Sequence, residues 1–208
     1  MSAREQLLRL LAEKSFRLGD FQLSSGGHSD YYVDCRATTL DALGSSLTAR
    51  VVLDEIRKRE WTPEAIGGMT LGADPIVAAV AMLSAQESQS RAAQGEERGG
   101  ALIHGFLVRK AEKAHGTGQR IEGFQRKGAR VVIVDDVCTT GASTVQAIEA
   151  ARDFGFTVAG VMCLVEREEA GGRPAVEKAA APAKFVSIFT AGQVRTKHLR
   201  LQAAAKGV

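Results

Sequence analysis

Four β-branched apolar residues, VVIV at 131–134, lead directly into two adjacent acids, Asp135 and Asp136. A run of this kind is typical of a buried strand, and the pattern over 143–154 predicts a helix after a short loop. A buried strand has no use for two carboxylates at its tip. We therefore expect the strand to end at Val134 and the acids to lie beyond its carboxyl end, where open parallel sheets bind ligands.

The loop after the acids, VCTTGAS, has the composition of a phosphate site. Gly141 permits backbone angles that other residues avoid, so several N–H groups can turn inward beside a helix N-terminus. Phosphate would repel the carboxylates, which suit hydroxyl groups or hydrated Mg²⁺ instead. The pattern thus predicts a ligand with a phosphate and a nearby diol, such as ribose 5-phosphate. The alternative is an ordinary polar turn with Ser143 or Thr144 as helix N-cap.

Strands alternate with helices along the chain, which predicts a parallel sheet covered on both faces. An amphipathic first helix, a helix at 40–60 and a helix starting near Pro75 accompany the helix described above. The expected strands are 65–70, 101–108, 131–134 and 158–165, followed by a further strand and a short helix at the C-terminus. We expect an α/β fold in a single domain over residues 1–208.

Composition excludes several classes of protein. A net charge of +3 does not by itself indicate a nucleic-acid partner. The longest apolar run, 75–83, is too short to span a membrane, which needs about 20 residues. Cys35, Cys138 and Cys163 show neither disulfide-framework nor zinc-ligand spacing, and no signal peptide is apparent. We expect a cytoplasmic protein without nucleic-acid or membrane partners.

The stretch VVIVDDVCTTGAST resembles the phosphoribosyl-pyrophosphate (PRPP) motif of type I phosphoribosyltransferases. The resemblance implies that family's fold, a mainly parallel twisted sheet flanked by helices with a small N-terminal hood. It also implies that the acids contact the ribose hydroxyls and hold Mg²⁺ largely through substrate or water, and that the loop amides bind the 5′-phosphate. The PRPP-binding residues of this motif are then Asp135, Asp136, Val137, Cys138, Thr139, Thr140, Gly141, Ala142 and Ser143.

A cationic segment, RKAEKAHG at 109–116, resembles the catalytic loop of orotate phosphoribosyltransferases. In that family the loop folds over PRPP, often into the neighbouring subunit of a dimer. The resemblance implies a homodimer that shares loop 109–118, and contacts to the departing pyrophosphate from Arg109, Lys110, Lys113 and His115. With the two acids, Arg109, Lys113 and His115 are the expected catalytic residues. The alternative is a solvated charged loop, and the sequence does not decide whether the loop acts within its own subunit.

The segment FQLSSGGHSDYYVDCR (21–36) is similar to the N-terminal signature of the same family, which builds the hood, here about residues 1–38. Arg167 matches the family arginine that pairs with the pyrimidine carboxylate, a bidentate role suited to guanidinium. Its alternative is a surface ion pair with Glu166 or Glu168. The resemblance implies orotate contacts from Ser24, Ser25, Gly26, Tyr32, Thr139 and Arg167.

Two positions depart from some family members, which carry lysines where this chain has Ser24 and Gly72. Leu71 and Gly72 would therefore offer backbone amides to pyrophosphate. The hood signature and the cationic loop favour orotate as the acceptor base. Two alternatives remain open at this point: a phosphoribosyltransferase for another base, and a regulator that binds PRPP and nucleic acid without catalysis.

Overall fold

The computed structural model describes residues 1–22, 27–95, 101–110 and 120–206. The N-terminal part forms helix α1 (Ala3–Leu10), a π-helical turn (Leu11–Ser15), strands β1 (Phe16–Gln22) and β2 (His28–Val33), and helices α2 (Arg36–Thr39) and α3 (Ala42–Lys58). The centre forms β3 (Ala65–Met69), α4 (Asp74–Ala93), β4 (His104–Val108), β5 (Ile121–Gly123) and β6 (Arg130–Cys138). The C-terminal part forms α5 (Ala142–Phe154), β7 (Thr157–Glu166), a 3₁₀ turn (Glu168–Ala170), α6 (Arg173–Ala180), β8 (Phe185–Thr190) and α7 (Ala191–Ala205).

The main sheet has six strands in the order β5-β4-β3-β6-β7-β8. All neighbours are parallel except β4 and β5, which pair antiparallel. This confirms the α/β prediction of a mainly parallel sheet flanked by helices. Because both faces of the sheet are covered, the VVIV run alternates between two cores: Val132 and Val134 pack into one apolar cluster, Val131 and Ile133 into the other.

The hood is a separate two-stranded antiparallel ribbon of β1 and β2, and its side chains join the core of the sheet. Leu7, Leu11 and Phe16 belong to the same buried cluster as Ile188 and Val194. Helix α7 also holds the hood through polar contacts. The guanidinium of Arg195 lies 2.6 Å from an Asp30 carboxylate oxygen, and His198 Nδ1 lies 2.7 Å from the carbonyl oxygen of Ala12.

Several boundaries differ from those expected. Helix α4 has Pro75 in its first turn, as predicted, and ends at Ala93. Strand β5 was missed because its residues lie in a polar segment, although Ile121 is buried against the edge of β4. Strand β4 begins at His104 rather than Ala101. Helix α7 is 15 residues long rather than short.

None of the described helices is long and apolar enough to cross a membrane.

Close packing at the centre of the sheet requires glycine in β3. A Cβ atom at Gly67 would lie 2.4 Å from the carbonyl oxygen of Phe106 and 2.5 Å from its ring. Since these neighbours belong to the interior of the sheet, they have little room to move.

We expect Gly67→Ala to lower the free energy of unfolding by about 1–3 kcal/mol because the added methyl group overpacks the sheet. Urea denaturation of both proteins would measure this. The matched control is Gly27→Ala, where no heavy atom of the described residues lies within 4 Å of the added carbon. We expect that variant to stay within about 0.5 kcal/mol of the parent. Equal effects of the two substitutions would contradict the packing described for β3.

Candidate active site

The two acids lie within β6, not after it, so the prediction that the strand ends at Val134 is wrong. On one side β3 pairs with β6 only as far as Gly67 and Ile133. On the other side β7 continues beside β6 until Cys138 pairs with Glu166. The hydrogen bonds to β7 keep the backbone extended, while the edge that faced β3 opens at the acids. The acids therefore border a gap in the sheet.

Asp135 is almost fully buried, with 6% of its surface exposed. The hydroxyl group of Thr144 donates to Oδ2 at 2.6 Å, and the amide of Asp136 donates to Oδ1 at 3.0 Å. Burial raises the pKa of Asp135 to about 7; the hydrogen bond from Thr144 opposes this rise and the charge of Asp136 adds to it. Burial also raises the pKa of Asp136, against a hydrogen bond from the amide of Val137.

The loop between β6 and α5 presents free amide donors. Gly141 is in the left-handed conformation with φ of 78°, and it precedes the helix without a side-chain cap. The alternative of Ser143 or Thr144 as N-cap is therefore wrong, because the Thr144 hydroxyl binds Asp135 instead. Within the described part of the chain, no acceptor is bonded to the N–H groups of residues 139–143. These five amides can donate to an anion.

Helix α6 packs against this loop closely enough to exclude any side chain. A Cβ atom at Gly172 would lie 2.2 Å from the carbonyl oxygen of Thr139 and 2.8 Å from the amide nitrogen of Gly141. Arg173, next to Gly172, donates from Nε to the buried carboxylate of Glu166 at 2.9 Å. The start of α6 is thus fixed to the end of β7 and supports the loop from behind.

A cavity of about 600 Å³ opens over the acids and the loop. It brings together segments that are far apart in sequence: the hood, the turn after β3, the end of β4, the acids and loop, and the residue that follows β7. Its lining residues are Gln22, Tyr32, Val33, Asp34, Arg36, Met69, Thr70, Leu71, Gly72, Lys110, Asp135, Asp136, Val137, Thr139, Thr140, Ser143 and Arg167.

Arg167 lies at the hood side of this cavity and is only 8% exposed. Its Nε donates to the hydroxyl oxygen of Tyr31 at 3.0 Å and to Oε1 of Glu169 at 3.1 Å, and its Nη2 donates to Ser29 Oγ at 3.0 Å. The alternative of a surface ion pair with Glu166 or Glu168 is therefore wrong. Glu166 is bound by Arg173 instead.

Some predicted residues lie beside the cavity rather than on it. The side chain of Cys138 is buried in the apolar cluster beneath α5, because the last residue of β6 points into the sheet core. Gly141 and Ala142 form the start of α5, with Gly141 packed toward Val176. Cys138, Gly141 and Ala142 would thus contribute backbone atoms at most, as the resemblance to the PRPP motif implies for the loop.

The turn after β3 approaches the acids. A Cβ atom at Gly72 would lie 2.3 Å from Oδ1 of Asp136, so a side chain there would displace that carboxylate. This contact gives a physical reason for glycine at position 72, where some family members carry lysine. Leu71 is exposed and lines both the main cavity and a smaller one of about 320 Å³, which Thr70, Arg109 and Lys110 complete.

The start of the cationic segment lies at the rim. Lys110 lines both cavities, and Arg109 lines the smaller one. Arg109 Nη1 lies 3.1 Å from a carboxylate oxygen of Glu122 in β5. Lys113 and His115 of the same segment lie outside the described residues, as do Ser24, Ser25 and Gly26 of the hood.

Sequence reasoning missed several residues at the cavity. Asp34 and Arg36 form a two-point ion pair on its wall, with distances of 2.9 and 3.0 Å. Both residues lie at the end of the hood segment 21–36. The acid and the arginine there were the sequence signal that could have identified them. Ser29 and Tyr31 were also missed as partners of Arg167. Nothing in the local pattern near Arg167 points to them, because the contacts join residues more than a hundred positions apart.

The raised pKa of Asp135 predicts a pH dependence of stability. Its folded-state pKa of about 7 exceeds the unfolded value of 3.8, so the folded protein binds the proton more tightly. This contribution favours folding at low pH and is lost as the pH rises from about 4 to 7. We expect the stability difference between the parent and Asp135→Asn to move against the parent over that range, by at most about 1.4 kcal/mol per pH unit.

Denaturant unfolding of both ligand-free proteins at several pH values would measure this difference. The contributions of titrating groups distant from Asp135 are shared by the two proteins and cancel. Asp136 interacts with Asp135, so the measured difference reports on the pair. A difference that stays constant with pH, or that favours the parent as pH rises, would contradict the burial of an ionisable Asp135.

Comparison with known proteins agrees with this geometry. The family model described as "Phosphoribosyl transferase domain" matches residues 75–185. An orotate phosphoribosyltransferase of Aquifex aeolicus is 40% identical over 185 residues, which cover 88% of this chain and 93% of the relative.

Solved structures give the same result. The orotate phosphoribosyltransferase of Mycobacterium tuberculosis in complex with Fe(III) dicitrate has a TM-score of 0.74 and 35% identity, covering 93% of this chain and 99% of the other. Its structure in complex with PRPP has a TM-score of 0.67 and 28% identity, covering 92% and 91%. The family model and the identity to these relatives over most of the chain show that this chain belongs to the orotate phosphoribosyltransferase family.

Proposed function

We propose that the protein transfers the 5-phosphoribosyl group of PRPP to orotate, giving orotidine 5′-monophosphate and pyrophosphate in pyrimidine biosynthesis. One observation carries the proposal: a single cavity combines free loop amides, two adjacent carboxylates and a buried arginine. These groups suit, respectively, a phosphate, a ribose diol and a carboxylate-bearing base. Together they match the two substrates of one reaction.

The phosphate loop and the acids would position PRPP. The amides of residues 139–143 receive the 5′-phosphate at the positive end of α5. Asp136 and Asp135 lie on the same wall and accept hydrogen bonds from the ribose hydroxyls. In the reaction a ring nitrogen of orotate releases its proton to solvent and forms a bond to C1 of the ribose, while the bond from C1 to pyrophosphate breaks. The ribose ring carries positive charge in the transition state, and nearby carboxylates stabilise that charge.

The acidic pair also fits Mg²⁺. Its oxygens are hard ligands, and burial raises the pKa of both carboxyl groups, so a bound cation would favour their ionised form. Among the described residues no three metal-ligating side chains come together, so the acids would hold the ion with substrate or water completing its shell. When bound, Mg²⁺ would neutralise charge on the pyrophosphate.

Arg167 would bind the carboxylate of orotate. A planar guanidinium recognises a carboxylate by two parallel hydrogen bonds, and burial strengthens this interaction. Tyr32 of β2 lines the same cavity and can cover the pyrimidine ring. Thr139 lies between the acids and the loop and lines the cavity as well. We also propose that orotate is contacted by Ser24, Ser25 and Gly26, as the sequence predicts.

The cations at the rim would neutralise the departing pyrophosphate. Lys110 lines the cavity together with Leu71 and Gly72. Arg109, bound to Glu122 through Nη1, retains other N–H groups for the anion. Lys113 and His115 complete the proposed catalytic loop, which we propose is shared across a homodimer. The single-domain organisation over residues 1–208 and the cytoplasmic location also remain predictions.

The activity can be tested by following the ultraviolet absorbance of orotate with purified protein, PRPP and Mg²⁺. Parallel reactions contain hypoxanthine, adenine or uracil in place of orotate. We expect loss of orotate that requires both PRPP and Mg²⁺ and stops when the metal is chelated. An Asp136→Asn variant should reduce turnover by about 100-fold or more, because the ribose loses a charged partner made stronger by burial.

The outcomes separate the candidate activities. Consumption of a purine but not orotate would retain phosphoribosyl transfer and overturn the assignment of the base. Binding of PRPP without turnover of any base would favour the regulator. Turnover that persists after chelation would overturn the role given to Mg²⁺.

A further inference from the structure

The guanidinium group of Arg167 is bound by protein on one side only. An arginine carries five N–H donors in a rigid plane, and Nε and Nη2 share one edge of it. Nε is bonded to Tyr31 and Glu169, and Nη2 is bonded to Ser29. No acceptor among the described residues is bonded to Nη1. One edge of the guanidinium is therefore occupied by protein, and the end that bears Nη1 remains available to the cavity.

Tyr31 fixes the plane of the guanidinium as well as its edge. The Cζ atom of Arg167 lies 4.6 Å from the centroid of the Tyr31 ring. That ring in turn stacks on Phe16, with centroids 5.2 Å apart and an angle of 17° between planes. Phe16 is buried in the core of the hood. The cation is thus supported from the core outward by two aromatic rings.

The hydroxyl group of Tyr31 has its own orientation fixed. It donates to the carboxylate of Glu169, so its lone pairs are left to accept from Nε of Arg167. Burial raises the pKa of Tyr31 to about 12, and the hydrogen bond to Glu169 adds to this rise. The phenol therefore keeps its proton at neutral pH, and the direction of the bond does not change there.

Ser29 completes the support from the same strand. Its hydroxyl group donates to the carbonyl oxygen of Tyr31 at 2.8 Å, which leaves the oxygen free to accept from Nη2 of Arg167. Ser29 and Tyr31 alternate along β2 and are both buried, whereas Asp30 between them is exposed. The spacing of two residues thus places both acceptors on the face of the ribbon that meets Arg167.

We propose that Tyr31 and Ser29 are positioning residues that turn the Nη1 end of Arg167 toward the cavity and so set the preference of the site for a pyrimidine that bears a carboxylate. This inference rests on the proposed function, since orotate is the carboxylate-bearing ligand. Neither residue touches the reacting atoms. Their effect is exerted through the guanidinium alone.

The test compares binding of orotate with binding of uracil, the same ring without the carboxylate, by calorimetry. Tyr31→Phe retains the ring that stacks on Phe16 and removes only the hydroxyl group. We expect the affinity for orotate to fall about tenfold, the usual effect of losing a hydrogen bond to a charged group. The affinity for uracil should not change. Ser29→Ala should act in the same direction.

Two controls distinguish positioning from general damage. Ser15→Ala removes another buried hydroxyl group of the hood, one bonded to Thr38 at 2.7 Å and not to Arg167. It should leave the preference for orotate over uracil unchanged. The double variant of Tyr31 and Ser29 should lose less than the product of the two single losses, because both residues act on one guanidinium.

Each outcome bears on a different claim. A wild-type protein that shows no preference for orotate over uracil would overturn the proposed base. A wild-type preference that survives both Tyr31→Phe and Ser29→Ala would overturn the positioning role while leaving the proposed function intact. Parallel loss of orotate and uracil binding in folded variants, judged by circular dichroism, would show a structural role and would also overturn the proposal.

Discussion

Strand β6 has a longer partner on one side than on the other, and the site depends on this difference. Its hydrogen bonds to β7 continue five positions beyond the last pairing with β3, from Ile133 to Cys138. The backbone stays rigid there while one edge faces open space. Two carboxylates can therefore sit almost inside the sheet and still reach a ligand. In a loop the same acids would be solvated, and their pKa values would lie nearer to those of free side chains.

Glycines allow the other walls to approach this edge. Gly72 brings the turn after β3 to Asp136, and Gly172 brings α6 to the back of the phosphate loop. In both places a single added carbon would lie closer than 2.5 Å to a neighbouring atom. The cavity is thus shaped mainly by backbone, which suits recognition of phosphate by amides. This frame places the carboxylates of Asp135 and Asp136, whereas the guanidinium of Arg167 is held by the side chains of Tyr31 and Ser29.

The sequence predicted the layers of the fold and the loop of free amides after the acids, because both depend on local patterns. The VVIV run predicts a strand buried on both faces of the sheet, and the order of acids, threonines and glycine predicts a phosphate-binding loop. It did not predict where β6 ends, since that depends on the length of β7. It also did not predict the partners of Arg167. Ser29 and Tyr31 meet that arginine only through the tertiary fold, so no pattern within a short window could indicate them.

The central claim is that the loop amides and the acids bind the two ends of a ribose 5-phosphate unit. The most direct test is nuclear magnetic resonance of the ¹⁵N-labelled protein during titration with ribose 5-phosphate. We expect the largest amide shifts, and slower hydrogen exchange, at residues 139–143, with smaller changes at Asp135 and Asp136. Shifts confined to another basic cavity, such as the one lined by Arg4, Lys197 and Arg200 between α1 and α7, would contradict it.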